Sequence, residues 1–153
     1  MADPNDPCIA CRIVREDHRP PGGVLWRAGG LAVHALDGPT PLPGWLVITS
    51  EAHVRAWYDL PAEAAAALGG VAARAMQAQR QSLGAEHVYA FAIGDVLHHF
   101  HLHLVPRYAD TPARLRGRGA FESRPEDALP AWRVVAALET LRRELGRTPQ
   151  NGS

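Results

Sequence analysis

The sequence predicts an α+β fold, with an antiparallel sheet of about five strands and two principal helices. Short apolar runs of strand length come first, a long Ala-rich helical segment follows, and two further strands precede a second helical segment. The chain has 153 residues, which fits one domain, and we expect this domain to span residues 1–146. The remaining residues, 147–153, are mostly polar, and we expect a disordered tail there.

Five segments have the length and composition of strands. Gly29 and Gly30 form a turn between the first two, and Gly94 and Asp95 join the last two. The third segment is a continuous apolar run, which suits the middle of a sheet. The predicted strands cover residues 23–28, 30–36, 45–49, 88–93 and 97–105. Residues 7–14 are interpreted as a tight knuckle followed by a short apolar run.

Two longer segments are predicted to be helices. The first covers residues 61–83, because Pro61 suits a first turn, the body is rich in Ala, and Gly84 is a natural stop. The second covers residues 130–145, and its apolar side chains recur at helical spacing. These side chains are Trp132, Val135, Leu138, Leu141 and Leu145. Residues 109–127, which are rich in Arg, Pro and Gly, are interpreted as a loop.

The charge balance and the first residues limit the classes of partner. Lys plus Arg and Asp plus Glu both number 16, so we expect no broad basic face for duplex nucleic acid or for an anionic membrane surface. No run approaches the ~20 apolar residues of a bilayer span. Residues 1–7 are acidic and rich in Pro, unlike a signal peptide, so a cytoplasmic location is expected. There, Cys8-x-x-Cys11 is a metal site, a redox pair or simple packing rather than a disulfide.

Three histidines alternate along the last predicted strand. Side chains alternate between the two faces of a strand, so His99, His101 and His103 are expected in a row on one face. The intervening residues are apolar and can enter the core: Phe100, Leu102 and Leu104. Such a row serves either a metal site or phosphoryl and nucleotidyl transfer, in which imidazole is the nucleophile. Apart from Asp95, no Asp or Glu lies near the row to complete a metal shell, which favours the second chemistry.

The motif His-Phe-His-Leu-His-Leu-Val at residues 99–105 resembles the signature of the histidine-triad family at every position. Other segments are also similar to that family: the Cys-Ile-Ala-Cys-Arg-Ile-Val opening at residues 8–14, the strand Gly-Trp-Leu-Val-Ile at 44–48 with His53 and Val54 after it, and Pro-Arg-Tyr at 106–108. The resemblance therefore extends over most of residues 8–108, and it implies a histidine-triad-like fold.

The resemblance implies a nucleotide hydrolase or a nucleotidyl transferase. In that family the middle histidine, here His101, attacks the α-phosphorus and forms a covalent nucleotidyl-histidine, while His103 donates to a phosphate oxygen. The substrates so implied are nucleoside phosphoramidates or dinucleoside polyphosphates. An uncharged imidazole, with an unperturbed pKa of about 6.5, is a competent nucleophile at neutral pH. Two alternatives remain: a nucleotide-binding regulator without turnover, and a metalloenzyme with the histidine row as its metal ligands.

The resemblance also implies a structural zinc and a homodimer. In zinc-bearing members, Cys8, Cys11, His53 and the first triad histidine, His99, are the four ligands. Cys-x-x-Cys alone is a weaker indication, because two small buried thiols also pack as apolar side chains. Family members commonly pair, and we expect a homodimer here.

Four further residues are candidates for substrate binding. Asp37 corresponds to an acidic residue that contacts the ribose in the family, and His34 either lines the nucleoside pocket or is a buried, hydrogen-bonded histidine. The loop at 94–98 lacks the Gln or Ser donors that many members carry, so His98 and Arg107 are the candidates to replace them. Asp95 in this loop would repel a polyphosphate, so we expect compact phosphoramidates to be preferred over dinucleoside tetraphosphates.

Overall fold

The structure is a computed structural model that describes residues 7–147. Most of the predicted disordered tail, residues 148–153, and the acidic segment 1–6 lie outside the described residues. Within residues 7–147 the helices are α1 (Ile9–Val14), α2 (Ala62–Leu83) and α3 (Ala131–Leu145). The strands are β1 (Val24–Ala28), β2 (Leu31–Ala35), β3 (Leu46–Ser50), β4 (His87–Phe91) and β5 (His101–Arg107).

All five strands form one sheet in the order β1-β2-β3-β5-β4, and every neighbouring pair is antiparallel. The predicted α+β class, the five-stranded antiparallel sheet and the two long helices are therefore confirmed. In the register of β3 and β5, Thr49 lies opposite His101 and Val47 lies opposite His103. Because β5 is an interior strand, both of these histidines have strand neighbours that fix their backbone positions.

The two long helices end as the sequence predicts. Pro61 precedes α2, and Gly84 ends it in the left-handed conformation, with φ of 76° and its N–H bonded to the carbonyl of Arg80 at 3.1 Å. The side chains of α2 that face the sheet are small or apolar and buried: Ala64, Leu68, Val71, Ala75 and Ala78. This face and the buried leucines of α3 cover the same side of the sheet, where the main core lies.

The sheet separates an apolar core from a face that carries the polar side chains. Leu31, Val33, Ile48, Leu102 and Leu104 point into the core with both helices. The alternate positions lie on the other face, because successive side chains of a strand point to opposite sides. They include four groups able to form hydrogen bonds: His34, Thr49, His101 and His103. The period of the strands therefore places both triad histidines of β5 outside the main core.

Two local expectations about the histidine and cysteine segments are wrong. Residues 9–14 form the short helix α1 rather than a knuckle, with the N–H of Arg12 bonded to the carbonyl of Cys8 at 3.2 Å. The strand predicted at 97–105 begins only at His101, and residues 92–100 are irregular, with bends at 95–97 and 99. Contacts with the segment after β3 displace strand pairing here: Phe100 donates its N–H to the carbonyl of Val54 at 2.7 Å.

The Arg-rich segment is an ordered cover over the polar face. Residues 113–127 form three short 3-10 helices, and the Asp127 carboxylate closes them by accepting from the Arg114 guanidinium at 2.8 Å and from the N–H of Arg124 at 2.8 Å. These bonds hold the pKa of Asp127 well below its usual range. Ala120 and Phe121 then pack against the polar face of the sheet. Arg114 is thus held by an intramolecular ion pair.

Among residues 7–147, no helix has both the length and the apolar composition that crossing a bilayer requires.

Gly119 is expected to be essential to this cover. A Cβ atom at Gly119 would lie 2.1 Å from the carbonyl oxygen of Arg114, so the backbone of the segment would have to shift. We expect Gly119→Ala to lower the free energy of unfolding by roughly 1–3 kcal/mol, as overpacking usually does. Urea denaturation measures this. Gly70→Ala is the matched control, because nothing lies within 4 Å of a Cβ there and α2 should gain up to about 1 kcal/mol. Equal effects of the two substitutions would contradict the expectation.

Candidate active site and metal centre

Two cysteines and two histidines from three parts of the chain meet in one cluster. Cys8 and Cys11 lie at the start of α1, His53 follows β3, and His99 precedes β5. One ligand atom from each of the four residues lies within 4.8 Å of the others. Nδ1 of His99 is 3.5 Å from both sulfur atoms, and Nδ1 of His53 is 3.0 Å from Sγ of Cys11.

The donor set and both distances from His99 fit a tetrahedral zinc ion, and the 3.0 Å between His53 and Cys11 is about 0.5 Å shorter than such an ion would set. With Zn–S of about 2.3 Å and Zn–N of about 2.0 Å, tetrahedral angles put sulfur and nitrogen roughly 3.5 Å apart. His99 is also correctly oriented, since its Nε2–H donates to the carbonyl of Ser50 at 2.7 Å. Its Nδ1 therefore holds the lone pair that faces the two sulfur atoms. A ligating histidine usually makes such a second hydrogen bond, so the residues present fit the metal.

His101 presents an unprotonated nitrogen to the open face of the sheet. Its Nδ1 lies 2.7 Å from the carbonyl oxygen of His99. A carbonyl oxygen can only accept, so Nδ1 carries the proton, and in the uncharged ring Nε2 holds the lone pair. Within the described part of the chain, no hydrogen bond engages Nε2 of His101. This nitrogen is therefore available as a nucleophile.

His103 is held in the opposite tautomer. The indole Nε1–H of Trp45 donates to Nδ1 of His103 at 3.1 Å. An indole N–H can only donate, so Nδ1 accepts and the proton of the uncharged ring is on Nε2. Burial, and then the proximity of His101 and His34, lowers the pKa of His103 to about 4. The ring is consequently uncharged at neutral pH and presents an N–H.

Aromatic rings enclose the donor histidine. The rings of His101 and His103 meet edge to face, with centroids 5.1 Å apart. Phe121, from the Arg-rich cover, lies edge-on to both His103 and Trp45, with centroids 5.0 Å apart in each pair. Such contacts fix ring orientation, so the cover positions the side chain that carries the N–H.

His34 is buried and its two ring nitrogens are both satisfied by the protein. Nδ1 donates to the carbonyl of Ala35 at 2.8 Å, so Nε2 accepts from the hydroxyl of Thr49, also at 2.8 Å. Burial is the main cause that lowers the pKa of His34 to about 4. Of the two interpretations open for this residue, the structure supports the buried, hydrogen-bonded one. Its hydrogen bond holds Thr49, the strand neighbour of His101.

A cavity of about 290 Å³ adjoins His101. It lies between the segment that precedes α2 and the turn that follows β4. Its lining residues are Arg55, Ala56, Trp57, Tyr58, Ala92, Ile93, Gly94, His99, Phe100 and His101. The cavity is large enough for part of a small organic ligand beside His101.

The structure brings only some of the predicted substrate-binding residues near this centre. Asp37 follows β2 on the polar side and accepts from His18 at 2.9 Å. His98 and Asp95 are exposed and do not line the cavity. Arg107 is the last residue of β5, where its Nη1 donates to the Tyr89 hydroxyl at 3.2 Å. Six residues of strand, or roughly 20 Å, separate Arg107 from His101. The structure thus does not place Arg107 beside His101.

Other residues of the centre are absent from the sequence-based prediction. Trp45 and Phe121 contact His103, and Arg55, Trp57 and Tyr58 line the cavity beside His101. The sequence could have indicated that Trp45 donates a hydrogen bond, because a buried tryptophan normally finds an acceptor for its N–H. Its partner is 58 residues away in the chain, so no local pattern identifies it.

Comparison with solved structures identifies the fold. A zinc-bound histidine triad family protein from Mycobacterium smegmatis matches with 24% identity and a TM-score of 0.62 over 90% of this chain and 96% of that one. A hypothetical histidine triad nucleotide-binding protein from Sulfolobus tokodaii matches with 14% identity and a TM-score of 0.70 over 90% and 91%. A Hit-like protein involved in cell-cycle regulation from Bartonella henselae matches with 13% identity and a TM-score of 0.69 over 95% and 100%.

No protein-family model matches the sequence, and no curated protein matches it. The chain nevertheless has the histidine-triad fold, and the resemblance seen in its motifs is confirmed at the level of the fold. The comparisons show the fold, whereas a reaction depends on the side chains at the centre.

The two histidines with a low pKa are expected to make the fold sensitive to acid. His34 and His103 have a pKa of about 4 in the folded protein, against about 6.5 in an unfolded chain. Between these values the unfolded state binds more protons, so the free energy of unfolding should fall as the pH is lowered from about 6.5 to 4. Urea denaturation at several pH values measures the slope of the free energy of unfolding against pH. A chelator is present throughout, so that any bound metal contributes nothing to this slope.

His34→Gln should make this slope shallower, because one of the two perturbed groups is removed. His87→Gln, which replaces an exposed histidine of β4, is the matched control. A slope for His34→Gln as steep as that of the wild type would show that His34 is not one of the groups responsible.

Proposed function

We propose that the protein is a nucleotide hydrolase or nucleotidyl transferase in which Nε2 of His101 attacks the α-phosphorus of its substrate. The opposite tautomers of two neighbouring histidines carry this proposal. The carbonyl of His99 leaves a lone pair on Nε2 of His101, and the indole of Trp45 leaves a proton on Nε2 of His103. A nucleophile and a hydrogen-bond donor thus lie side by side, as transfer of a phosphorus centre requires.

The first step forms a bond between Nε2 of His101 and phosphorus. The bond from phosphorus to the leaving group breaks, and its electron pair goes to the leaving atom. A phosphoramidate nitrogen that is protonated before the attack departs as an uncharged amine. Water or another acceptor then attacks phosphorus, and the electron pair of the N–P bond returns to His101. A lone pair already free on Nε2 makes an activating base unnecessary in the first step.

His103 is proposed to stabilise the charge that builds on the phosphoryl oxygens. Its pKa of about 4 keeps the ring uncharged at neutral pH, so it acts by donating a hydrogen bond rather than by transferring a proton. The bond from Trp45 fixes the tautomer, and Phe121 restricts the ring. The donor is therefore oriented before the substrate binds, which is the condition for effective electrostatic stabilisation.

The nucleoside is proposed to lie over the β2 side of the centre. Asp37 lies just after β2, and its carboxylate is on the polar side of the sheet, where a ribose hydroxyl could donate a hydrogen bond to it. His18 already holds this carboxylate at 2.9 Å, so its position is defined without a ligand. His34 contributes indirectly, by holding the hydroxyl of Thr49 beneath the site.

The alternative of a metal bound by the histidine row is less well supported. Among residues 7–147, the cluster of Cys8, Cys11, His53 and His99 is the one group of three or more potential ligands. Nδ1 of His101 and Nδ1 of His103 are each engaged by a protein hydrogen bond instead. A nucleotide-binding regulator without turnover remains the second candidate, and a covalent intermediate distinguishes the two.

We also propose that the cysteine–histidine cluster binds one structural zinc ion. The ion would connect α1, the segment after β3 and the residue that precedes β5, and so anchor the start of the catalytic strand. All four protein ligands would be used, which leaves no open position for a substrate. The proposal of a homodimer is supported by the two edge strands, β1 and β4, each of which has one side without a strand partner among residues 7–147. Sedimentation measures the oligomeric state.

Removal of the metal should destabilise the fold before it affects the chemistry. We expect one zinc per chain by elemental analysis, and a chelator should lower the melting temperature because such sites contribute folding free energy. Cys8→Ser should lower the metal affinity by at least tenfold. Cys8→Ser keeps the size of the side chain, so it separates ligation from packing. Metal-free protein that melts at the same temperature would refute a structural zinc.

His101→Ala is expected to abolish nucleotide turnover, with a loss on the order of 10³-fold or more. The fold should persist, because the ring lies on the polar face of the sheet and contributes nothing to the main core. Steady-state hydrolysis and trapping of a phosphorus-labelled intermediate on the wild type measure the effect. His87→Ala, at an exposed histidine of β4, is the matched control.

Turnover of folded His101→Ala within tenfold of the wild type would exclude His101 as the nucleophile. Nucleotide binding by the wild type with neither turnover nor a trapped intermediate would favour the regulator instead.

A further inference from the structure

A second cavity, of about 460 Å³, lies at the far end of β5 from His101. It is bounded by the segment before β3, the end of α2, the residues that follow β5, the Arg-rich cover and the start of α3. Tyr108 lines it, and seven residues of strand, or roughly 20 Å, separate Tyr108 from His101. The two cavities share no lining residue. The second cavity is therefore a separate site, which the proposed reaction does not use.

The wall of this cavity is largely apolar. Leu42 and Leu115 contribute buried side chains, and Leu83 and Leu129 are partly buried. Three further lining residues are prolines, whose fixed φ restricts movement of the backbone. Small-molecule sites are typically concave, mostly apolar and formed before the ligand binds, with volumes of roughly 300–1,000 Å³. The cavity has these properties, so a small organic molecule with an apolar part fits it.

Two charges of opposite sign also line the cavity. Arg133 lies in the first turn of α3 and Asp110 lies shortly after β5, and both side chains are exposed. Neither takes part in any ion pair within the stretch of chain that the structure describes. Asp127 lines the cavity too, but its carboxylate is held by Arg114 and by the backbone of Arg124. One cation and one anion are therefore available to a ligand.

Both charges lie close enough to Tyr108 to act on its hydroxyl. Burial is the main cause that raises the pKa of this phenol, while the charge of Arg133 lowers this pKa and the charge of Asp110 raises it further. The hydroxyl donates to the carbonyl of Pro43 at 2.6 Å, which fixes the ring, and its oxygen can still accept a hydrogen bond. The guanidinium, the carboxylate and the phenol therefore converge on one part of the cavity.

Thr111 adds a buried hydrogen-bond donor to the same cavity. Its side chain is 4% exposed, and its oxygen accepts the N–H of Tyr108 at 2.9 Å. No hydrogen bond among residues 7–147 uses the proton of this hydroxyl. A hydroxyl that accepts one bond can still donate one, so Thr111 can donate to an acceptor inside the cavity. The cavity thus offers an anionic group both a guanidinium and a buried O–H.

We propose that this cavity binds a free α-amino acid with a large apolar side chain. The guanidinium of Arg133 and the hydroxyl of Thr111 bind the α-carboxylate, and the carboxylate of Asp110 binds the α-ammonium group. The apolar side chain of the ligand lies against Leu42 and Leu115, because burial of apolar surface is favourable. An α-amino acid carries both charges on one carbon atom, which matches two opposite charges close to one phenol.

The charge pattern favours a zwitterion over ligands with one sign of charge. An apolar carboxylic acid leaves Asp110 without a cationic partner, and an apolar amine leaves Arg133 without an anionic one. A nucleotide brings several negative charges towards Asp110 and Asp127, and like charges at a binding surface lower the affinity. An α-amino acid is the class of small molecule that satisfies both exposed charges and the apolar wall.

Three truncated compounds test which groups of the ligand are recognised. In isothermal titration calorimetry with the full chain, L-phenylalanine should bind at least fivefold more tightly than each of them. 3-Phenylpropionate lacks the ammonium group, 2-phenylethylamine lacks the carboxylate, and glycine lacks the apolar side chain. Each comparison therefore removes one of the three proposed contacts.

Substitution of each charged residue should remove one of these preferences. Arg133→Met should abolish the preference for L-phenylalanine over 2-phenylethylamine and keep the preference over 3-phenylpropionate, whereas Asp110→Asn should do the reverse. Both side chains are exposed, so the fold should persist, and the melting temperature without ligand checks this. Arg143→Met, at an exposed arginine of α3 outside the cavity, is the matched control and should keep both preferences.

Three results would overturn the inference. The first is that neither L-phenylalanine nor L-leucine binds. The second is equal affinity for L-phenylalanine and 3-phenylpropionate, since the cavity would then bind apolar molecules without recognising an amino acid. The third is wild-type affinity in both Arg133→Met and Asp110→Asn, since the ligand would then bind elsewhere. No nucleotide is present in these titrations, so failure of the proposed reaction at His101 leaves their outcome unaffected.

Discussion

The placement of His99 is the constraint on which the centre depends. Its Nε2–H is bonded to the carbonyl of Ser50, its Nδ1 faces the sulfur atoms of α1, and its own carbonyl accepts the Nδ1–H of His101. One buried residue thus connects the cysteine cluster to the tautomer of the proposed nucleophile. A displacement of His99 would therefore disturb the cysteine–histidine cluster and the tautomer of His101 together.

The sheet provides the second level of organisation. Alternation along the strands places Leu102 and Leu104 in the core and His101 and His103 on the polar face. A second, smaller apolar cluster, which includes Trp45 and Ala120, forms on that face and brings the Arg-rich segment over it. The polar face is thus divided into a covered part, which fixes His103, and an open part beside His101. The same sheet therefore supports His103 as a rigid hydrogen-bond donor and leaves Nε2 of His101, the proposed nucleophile, accessible.

The secondary structure predicted from the sequence is most accurate where one periodicity extends over many residues. The helix at 61–83 begins one residue later in the structure and ends as predicted, because Pro61 and Gly84 mark both ends. The predictions fail where distant contacts override local pattern. β5 starts at His101 because the N–H of Phe100 is bonded to Val54, in the segment after β3, and α1 is too short to show a periodicity. The bond from Trp45 to His103, which sets a tautomer, joins residues too far apart for any pattern to reveal.

The cysteine–histidine cluster has a consequence for the order of events during synthesis. Cys8 and His99 are separated by 91 positions in the chain. The ribosome adds roughly 5–20 residues per second, so several seconds pass between the emergence of the thiols and that of their last partner. Throughout that interval β5 does not yet exist and the central β3 has no partner on one side. The cluster can therefore be completed only after the whole segment from α1 to the start of β5 has been synthesised.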